Sequence, residues 1–309
     1  MKKMVSLLAL LTLSLAASMP VAAMDWSDLQ KIRAEGRANL ILEIDNDSLL
    51  LNRKDGFYTS GVHFGQRMDL RRDDVLDSVG WNIGQDLYTA SDIKLPPVQV
   101  GPPDHPYGAW LFGGVYRQQA RIDGSRWKLG LDLGCLGPCA GGEWFQTRLH
   151  RLIRQPEPQG WSKQLRNEFG AVLYGELAPV RWQFGSAMDL TPSVQGRFGN
   201  IFADASGSLL LRAGQLNALP DQPTLHIFIR AEARAVAYNA TLQGGYFSTG
   251  NPHTVEPKHL VAEAEAGMVW QRAPFSLSAA VLRRGNEIRD LPNEVGTQNI
   301  VRLVFGYAL

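Results

Sequence analysis

The sequence predicts an all-β protein, a transmembrane antiparallel β-barrel of about 12 strands. Three observations carry this prediction. Apolar and polar residues alternate with a period of two along most of the chain, the first residues are typical of an export signal, and no later apolar run is long enough for a spanning helix. The composition, 45% hydrophobic and 20% charged, favours a folded chain over a disordered polymer or a polytopic helical membrane protein.

The N-terminal segment is typical of a Sec signal peptide. Two lysines, Lys2 and Lys3, precede an apolar run over 4–17 and a Val-Ala-Ala sequence. That run is shorter than the roughly 20 residues that span a bilayer, so an uncleaved anchor is the weaker alternative. We predict a signal peptide at 1–23 and a single outer-membrane β-barrel domain at 24–309.

The charge of the chain excludes one class of partner. The formal net charge is +1, and it becomes −1 without the two lysines of the signal segment. Such a balance predicts no nucleic-acid-binding surface. We expect a multi-pass barrel in the bacterial outer membrane, present as a monomer.

The two cysteines, Cys135 and Cys139, lie close together in a glycine-rich segment. In an oxidising compartment such a pair favours a local disulfide that holds a tight turn. Metal binding is the weaker alternative, because no further Cys and no closely spaced His completes a zinc set.

The alternation is regular enough to assign strands. At 127–133, tryptophan and leucines take one parity, and lysine, glycine and aspartate take the other, as in an outer-membrane strand with an apolar outside. A soluble sandwich also alternates, but Arg230, Glu232, Glu263 and Glu265 recur on the inner parity, as in a polar lumen. The predicted strands are 38–48, 57–68, 79–88, 107–117, 125–134, 164–176, 180–190, 203–213, 225–238, 259–271, 275–284 and 299–309.

One segment, 141–153, has helical periodicity instead. Glu143, Gln146 and His150 fall at i, i+3 and i+7, on one side of a short helix. We predict that this helix lies near the barrel mouth or lumen with its polar side toward the cavity, where His150 is suited to proton transfer near neutral pH. A loop helix with a solvated polar side is the alternative.

The first predicted strand carries three carboxylates on its lumenal parity, those of Glu43, Asp45 and Asp47. Oxygen-rich clusters of this kind bind Ca²⁺. A wall of carboxylates paired with arginines is the alternative.

The parity of the second predicted strand places Thr59 and His63 inside and Tyr58 and Ser60 outside. Thr59 can therefore face the same cavity as the first strand. Ser60, a candidate nucleophile for a Ser-His pair, faces away and ranks below a water nucleophile activated by His150.

Several motifs then occur in a fixed order and resemble one family, the outer-membrane lipid A 3′-O-deacylases of the LpxR type. The resemblance covers nearly all of the chain after the signal segment. The motifs are Ile-Asp-Asn-Asp at 44–47, Tyr-Thr-Ser-Gly at 58–61, Gly-Gln-Asp-Leu-Tyr at 84–88, Pro-Tyr-Gly-Ala-Trp-Leu at 106–111 and Gly-Pro-Cys-Ala-Gly-Gly-Glu at 137–143, followed by Gln146 and His150.

The resemblance implies a twelve-stranded barrel that hydrolyses, with Ca²⁺, the ester holding the 3′-linked acyloxyacyl group of lipid A in lipopolysaccharide. The functional pattern of the family falls here on Asn46, Asp47, Thr59, Gln146 and His150. On this hypothesis His150 activates a water molecule, Ca²⁺ polarises the ester, and Asp47 with Asp45 and Glu43 positions the ion.

Two other classes stay open from the sequence. One is an outer-membrane esterase of the phospholipase type, and the other is a non-catalytic pore or structural barrel. Arg71, Arg72, Arg151 and Arg154 are candidates for contacts with lipopolysaccharide phosphates, with solvated loop charge as the alternative.

Overall fold

A computed structural model describes residues 26–47 and 56–309 of the chain. The predicted signal peptide, 1–23, lies outside the described residues. Within the described residues no helix is long and apolar enough to cross a membrane. The α-helices are α1 (Trp26–Glu35), α2 (Gly142–Ile153), α3 (Ala240–Gln243) and α4 (Asn293–Gly296).

Thirteen strands form one antiparallel sheet in the described part of the chain. Pairing of β1 with β13 and of β6 with β8 closes the sheet, so twelve strands make a barrel as predicted, and the short β7 pairs only with β8. The strands are β1 (Arg37–Asn46), β2 (Phe57–Arg72), β3 (Val75–Thr89), β4 (Gly108–Arg121), β5 (Arg126–Leu136), β6 (Glu168–Ala178), β7 (Trp182–Phe184), β8 (Met188–Gly199), β9 (Phe202–Gln215), β10 (Thr224–Asn239), β11 (Leu260–Arg272), β12 (Phe275–Arg284) and β13 (Gln298–Ala308).

The predicted strand at 180–190 is wrong. A turn with Gly185 at a φ of +68° separates β7 from β8, and the barrel strand runs on from Met188 to Gly199. The alternating apolar residues of this segment, Trp182 and Phe184, belong to the short arm of a hairpin, where both side chains are exposed. Alternation identifies a strand but does not show where the chain turns back.

The two faces of the wall follow the predicted parities. Leu131 and Leu133 of β5 and Ile227 of β10 are exposed on the outside, as expected of a lipid-facing surface. Arg230 and Glu265 point into the lumen from neighbouring strands, and the Arg230 Nε donates to the Glu265 Oε2 at 2.9 Å. The predicted polar lumen with an apolar outer surface is confirmed.

The two ends of the barrel differ in the length of their connections. At one end, two-residue turns join β2 to β3 and β11 to β12. The opposite end carries the long connections over 90–107, 137–167 and 240–259. In outer-membrane barrels the short turns are periplasmic and the long loops extracellular. The end with the long loops is therefore the mouth of the barrel.

Two of the four arginines considered as candidates for phosphate contacts lie at the periplasmic end, away from the mouth. Arg71 and Arg72 end β2 at the periplasmic side, where Arg71 pairs with Asp221 and Arg72 pairs with Asp28, both at 2.8 Å. The alternation of residues locates a strand but does not show which end of it is periplasmic.

Candidate active site

Helix α2 packs on the outer face of the wall at the mouth. Its first residue, Gly142, lies against Leu87 of β3 and Ala109 of β4, which are cross-strand partners on the outward parity. A Cβ at position 142 would overlap Ala109, so glycine allows this close approach. The helix begins after Gly141, whose φ of +68° also favours glycine.

The buried side of α2 is its polar side. Gln146 and His150 are only 1% and 7% exposed, whereas Leu152 is 79% exposed and Ile153 is 53% exposed on the other side. Glu143, predicted to share the face of Gln146 and His150, is exposed. The predicted helix at the mouth is confirmed, but its polar side faces the outer wall and not the cavity. Helical periodicity shows which residues share a face, but it does not show which part of the protein that face contacts.

Gln146 is held by the segment that follows the helix. Its Oε1 accepts a hydrogen bond from the Trp161 Nε1 at 3.0 Å, and the Trp161 ring packs edge-on against Tyr107 with centroids 5.2 Å apart. Its Nε2 is buried and has no hydrogen-bond acceptor among the described residues. The side chain is therefore fixed through its oxygen while its amide group remains a donor.

His150 is oriented by the chain that turns back after the helix. Arg154, with a φ of +58°, ends α2, and the Gln155 N donates to the His150 O at 2.8 Å. The His150 Nδ1 lies 2.7 Å from the Pro156 O. Because a carbonyl can only accept, Nδ1 carries the proton in the neutral ring, and Nε2 carries the lone pair of a base.

A bulge in β2 moves Thr59 out of the lumen. The register with β3 shifts between Tyr58 and Ser60, and the Tyr58 hydroxyl points inward to Asp86 at 3.2 Å. The Thr59 Oγ1 lies 2.7 Å from the Thr89 Oγ1, on the outer side. The predictions of Thr59 inside and Tyr58 outside are wrong, because one extra residue reverses the parity at the end of the strand.

Asn46 and Asp47 also leave the lumenal row. Asn46 is the last residue of β1 and is in register with the outward Ser60, and its Nδ2 donates to the Thr59 O at 3.4 Å. Asp47 lies beyond the strand, where its Oδ2 accepts from the Gly56 N at 2.8 Å. The end of the strand at Asn46 allows these adjacent residues to take different directions.

The predicted row of three carboxylates is not assembled. Asp45 binds Arg302 through two hydrogen bonds of 2.9 and 2.7 Å, and Glu43 lies 3.5 Å from Arg302 and 3.6 Å from His63. Glu43 and Asp45 thus form the arginine-paired wall that the sequence left as the alternative. Within the described residues no group of three or more His, Cys, Asp or Glu side chains could hold a metal ion.

Calcium does not fit the predicted ligand set. Ca²⁺ takes about six to eight oxygen ligands, and an ion beside Glu43 and Asp45 would compete with the guanidinium of Arg302. Of the three predicted ligands, only Asp47 lies outside this lumenal network. Of the three carboxylates, Asp47 alone therefore remains a candidate ligand for Ca²⁺.

Cys135 and Cys139 form a disulfide at the entrance to α2, as predicted, with Cα atoms 6.0 Å apart. Cys135 belongs to β5, and Cys139 belongs to the 3-10 turn Pro138–Ala140 that leads into the helix. The Gln85 Nε2 donates to the Ala140 O at 2.6 Å, a second link between wall and turn. Both links fix the start of α2 against β3 and β5.

The sequence predicted no role for three residues that support the site. Trp161 donates a hydrogen bond to Gln146 and packs against Tyr107, and the Thr89 hydroxyl is hydrogen-bonded to that of Thr59. The family motif at 106–111 contains Tyr107, but its contact with the ring of Trp161 crosses more than fifty residues and has no local signal.

The closed barrel, its polar lumen and its apolar outer surface define the class, an outer-membrane β-barrel protein that carries a polar site on its outer wall. Within that class the chain belongs to the LpxR family, since the family described as outer membrane protein LpxR matches residues 7–302. No protein with a curated description matches the chain.

One solved structure shares the fold, and a second is a weaker match. LpxR from Salmonella typhimurium is 22% identical, with a TM-score of 0.72 over 87% of this chain and 99% of that chain. The β-domain of the Bordetella autotransporter BrkA is 13% identical, with a TM-score of 0.44 over 88% of this chain and 98% of that one.

Proposed function

We propose that this protein is an outer-membrane ester hydrolase that removes the 3′-linked acyloxyacyl group from lipid A. One observation carries the proposal: His150 is buried on the polar side of a helix that packs on the outer wall at the mouth, with Nδ1 donating to the Pro156 O. Membership of the LpxR family and the resemblance in the site motifs support the choice of lipid A.

His150 acts as the general base. Its Nε2 takes a proton from a water molecule while the oxygen of that water forms a bond to the ester carbonyl carbon. The bond from that carbon to the 3′ oxygen of lipid A then breaks, and protonated His150 returns the proton to the departing oxygen. The products are the free acyloxyacyl carboxylic acid and lipid A with a 3′ hydroxyl group.

Gln146 stabilises the negative charge that develops on the carbonyl oxygen. Its Nε2 lies one helical turn from His150 and has no acceptor among the described residues, so the donor is in place before the charge forms. Trp161 holds the other end of the amide and prevents it from turning over.

Thr59 and Asn46 orient the reactants at the bulge. The Thr89 hydroxyl donates to the Ala90 O at 3.3 Å, so Thr59 donates to Thr89 and keeps lone pairs that accept a hydrogen bond from water. Asn46, next along the outer side, keeps its amide oxygen directed by the bond from Nδ2 to the Thr59 O. Both are positioning residues for the attacking water and the ester.

Ser60 is the competing nucleophile. It lies on the outer side, as predicted, and the site is also there, so parity no longer argues against it. Both Ser60 and His150 are described residues, and no hydrogen bond joins them. A water nucleophile therefore remains the proposal, because a Ser-His pair needs that bond.

The calcium requirement stays a prediction, tied now to Asp47 alone among the three carboxylates. We expect chelation with EGTA to abolish hydrolysis and added Ca²⁺ to restore it. Asp47→Asn should raise the Ca²⁺ concentration needed for half-maximal rate, and Asp45→Asn, in the lumen, should leave it unchanged. Equal shifts in both variants would remove Asp47 as a ligand.

The deciding experiment is mass spectrometry of lipid A from cells that express the protein with Ca²⁺ present, beside a His150→Ala control. Loss of the 3′-linked acyloxyacyl mass with the wild type alone supports both the reaction and the base. Loss of acyl chains from phospholipids instead would identify an esterase of the phospholipase type. An unchanged spectrum from folded, inserted protein would contradict the proposal.

The interior does not favour a pore. Near the mouth, Trp110 and Phe112 stack with centroids 5.8 Å apart, and Arg197 pairs with Asp204 from a neighbouring strand. From the strands on either side, Arg230 and Arg284 both bind Glu263. Aromatic rings and ion pairs thus line this part of the lumen, which disfavours a conducting pore.

A further inference from the structure

Helix α1 lies beside the outer wall at the periplasmic end and is fastened along one side. The Arg72 Nη1 donates to the Asp28 Oδ1 at 2.8 Å, and Ile32 is fully buried. The Gly36 N donates to the Ile32 O at 2.9 Å and leads the chain into β1. The helix therefore has a fixed position relative to β2 and β3.

The other side of α1 stands off the barrel and encloses a crevice of about 890 Å³. Trp26, Leu29, Gln30 and Arg33 line it from the helix, at the i, i+3, i+4 and i+7 positions that make one helical face. The barrel side of the crevice is formed by Met68, Val79, Trp81, Val115, Trp127 and Leu129.

The crevice opens on the membrane-facing surface. Trp81 pairs with Val115, Val115 with Leu131 and Leu131 with Leu173, so the barrel side is one outward row across β3 to β6. The next outward residue of β3, Ile83, is 54% exposed. In a membrane such a surface meets hydrocarbon, and the volume lies in the range of small-molecule binding pockets, enough to take an acyl chain.

Two arginines give this apolar crevice a positive end. Arg33 lines it from α1 and Arg117 lines it from β4, on the outward parity. The Arg117 Nη2 lies 3.8 Å from the Asp77 Oδ1, which also accepts a 2.9 Å hydrogen bond from Gln119. The Arg117 Nε is buried and donates no hydrogen bond within the described residues.

We propose that this crevice binds a glycerophospholipid from the periplasmic leaflet, with an acyl chain between α1 and the wall and the phosphate facing Arg33 and Arg117. The acyl chain fits the apolar lining, and arginines at its end complement the phosphodiester charge. The site lies at the opposite end of the barrel from His150, so the proposal does not depend on the hydrolase.

The test measures lipid retained by the full chain. The protein in nonionic detergent is mixed with 1-palmitoyl-2-oleoyl-phosphatidylglycerol and weighed by native mass spectrometry. We expect one bound lipid, and about tenfold weaker retention in Arg33→Gln/Arg117→Gln, the effect of losing charge-assisted hydrogen bonds. Val115→Trp, which fills the crevice, should also release the lipid.

Lys31→Gln is the matched control, because Lys31 is an exposed cation of α1 outside the crevice. Heat-modifiable migration in gels checks that each variant is folded. If the double variant does not fold, Arg33→Gln alone, at an exposed position, replaces it as the test variant. Equal retention in the crevice variants and the wild type would overturn the proposal. So would equal loss in Lys31→Gln, retention of lipid A in place of the phospholipid, or competition by glycerophosphate without an acyl chain.

Discussion

Polar side chains occupy both sides of the same barrel wall, and the two sets are used differently. In the lumen His63 lies 2.8 Å from Asp86 and 3.6 Å from Glu43, and Arg302 binds Asp45, so charges meet opposite charges. On the outer wall the amide nitrogen of Gln146 keeps a donor without an acceptor among the described residues.

The difference separates structural from functional polarity. Lumenal charges such as Asp45 and Arg302 pair with each other, and the need to fill a polar interior explains their sequence pattern. Polar groups buried against an outer wall that is otherwise apolar have no such reason, because an apolar side chain would pack there at lower cost. Their presence indicates chemistry.

The largest expected effect comes from removing the proposed base, His150, on the outer wall. His150→Ala should lower the rate of lipid A hydrolysis by about 10²- to 10⁴-fold, the usual contribution of a general base. The barrel should stay folded, because His150 lies on a helix outside the closed sheet.

Ser60→Ala is the comparison for that measurement. We expect it to retain most activity if water is the nucleophile. A variant pair in which Ser60→Ala is inactive and His150→Ala is equally inactive would instead support the Ser-His mechanism.

Breaking the lumenal set should change stability and not chemistry. Arg302→Ala leaves Asp45, which is 1% exposed, without its bidentate partner, and we expect a loss of about 3–5 kcal/mol in the free energy of unfolding. Guanidinium unfolding of the barrel in vesicles measures this loss. Arg302→Met/Asp45→Leu removes both charges and should recover most of the lost free energy of unfolding. A lower turnover rate per folded molecule in either variant would contradict the assignment of the lumenal residues to stability alone.

Gln146→Met tests the donor beside the base. The substitution keeps the length of the side chain but removes the amide, and loss of one oxyanion donor lowers turnover by about 10²- to 10³-fold. Trp161→Phe removes the hydrogen bond to the Gln146 oxygen while keeping an aromatic ring beside Tyr107, and should have a smaller effect. A Gln146→Met variant with unchanged turnover and raised KM would assign Gln146 to substrate binding alone.

The smallest effect concerns the loops of the mouth. Burial lowers the pKa of His105, which stacks on Tyr88 with centroids 5.6 Å apart. The opened loop takes up a proton more readily than the closed one, so closure is most stable above the ordinary pKa of histidine and weakens as the pH falls below it. Limited proteolysis of 90–107 should be faster at pH 5 than at pH 7.5, and His105→Phe should abolish that dependence.

The regular parts of the barrel could be predicted because the polarity of each residue indicates whether its side chain points outward or into the lumen. Leu131 and Leu133 outside, and Arg230 and Glu265 inside, follow from the period of two alone. The register at Tyr58 could not be predicted, since an extra residue in one strand is visible only against its partner strand.

The site was only partly accessible for the same reason. Gln146 and His150 were found because they share a helical face, which is local information. That this face lies on Leu87 and Ala109 is a contact between distant segments, and the sequence pattern suits a helix in the lumen equally well. Thr59 was identified with its direction reversed.

The apolar side of α2 bears on how a lipid would reach the proposed active site. Trp144 and Leu152, 67% and 79% exposed, point away from the wall and give the helix an outer surface suited to hydrocarbon. A lipid that already lies in the membrane plane reaches such a site by lateral diffusion, a search in two dimensions. Turnover should then follow the mole fraction of substrate at the membrane surface, so that diluting lipid A with inert lipid slows the enzyme while diluting the whole suspension with buffer does not.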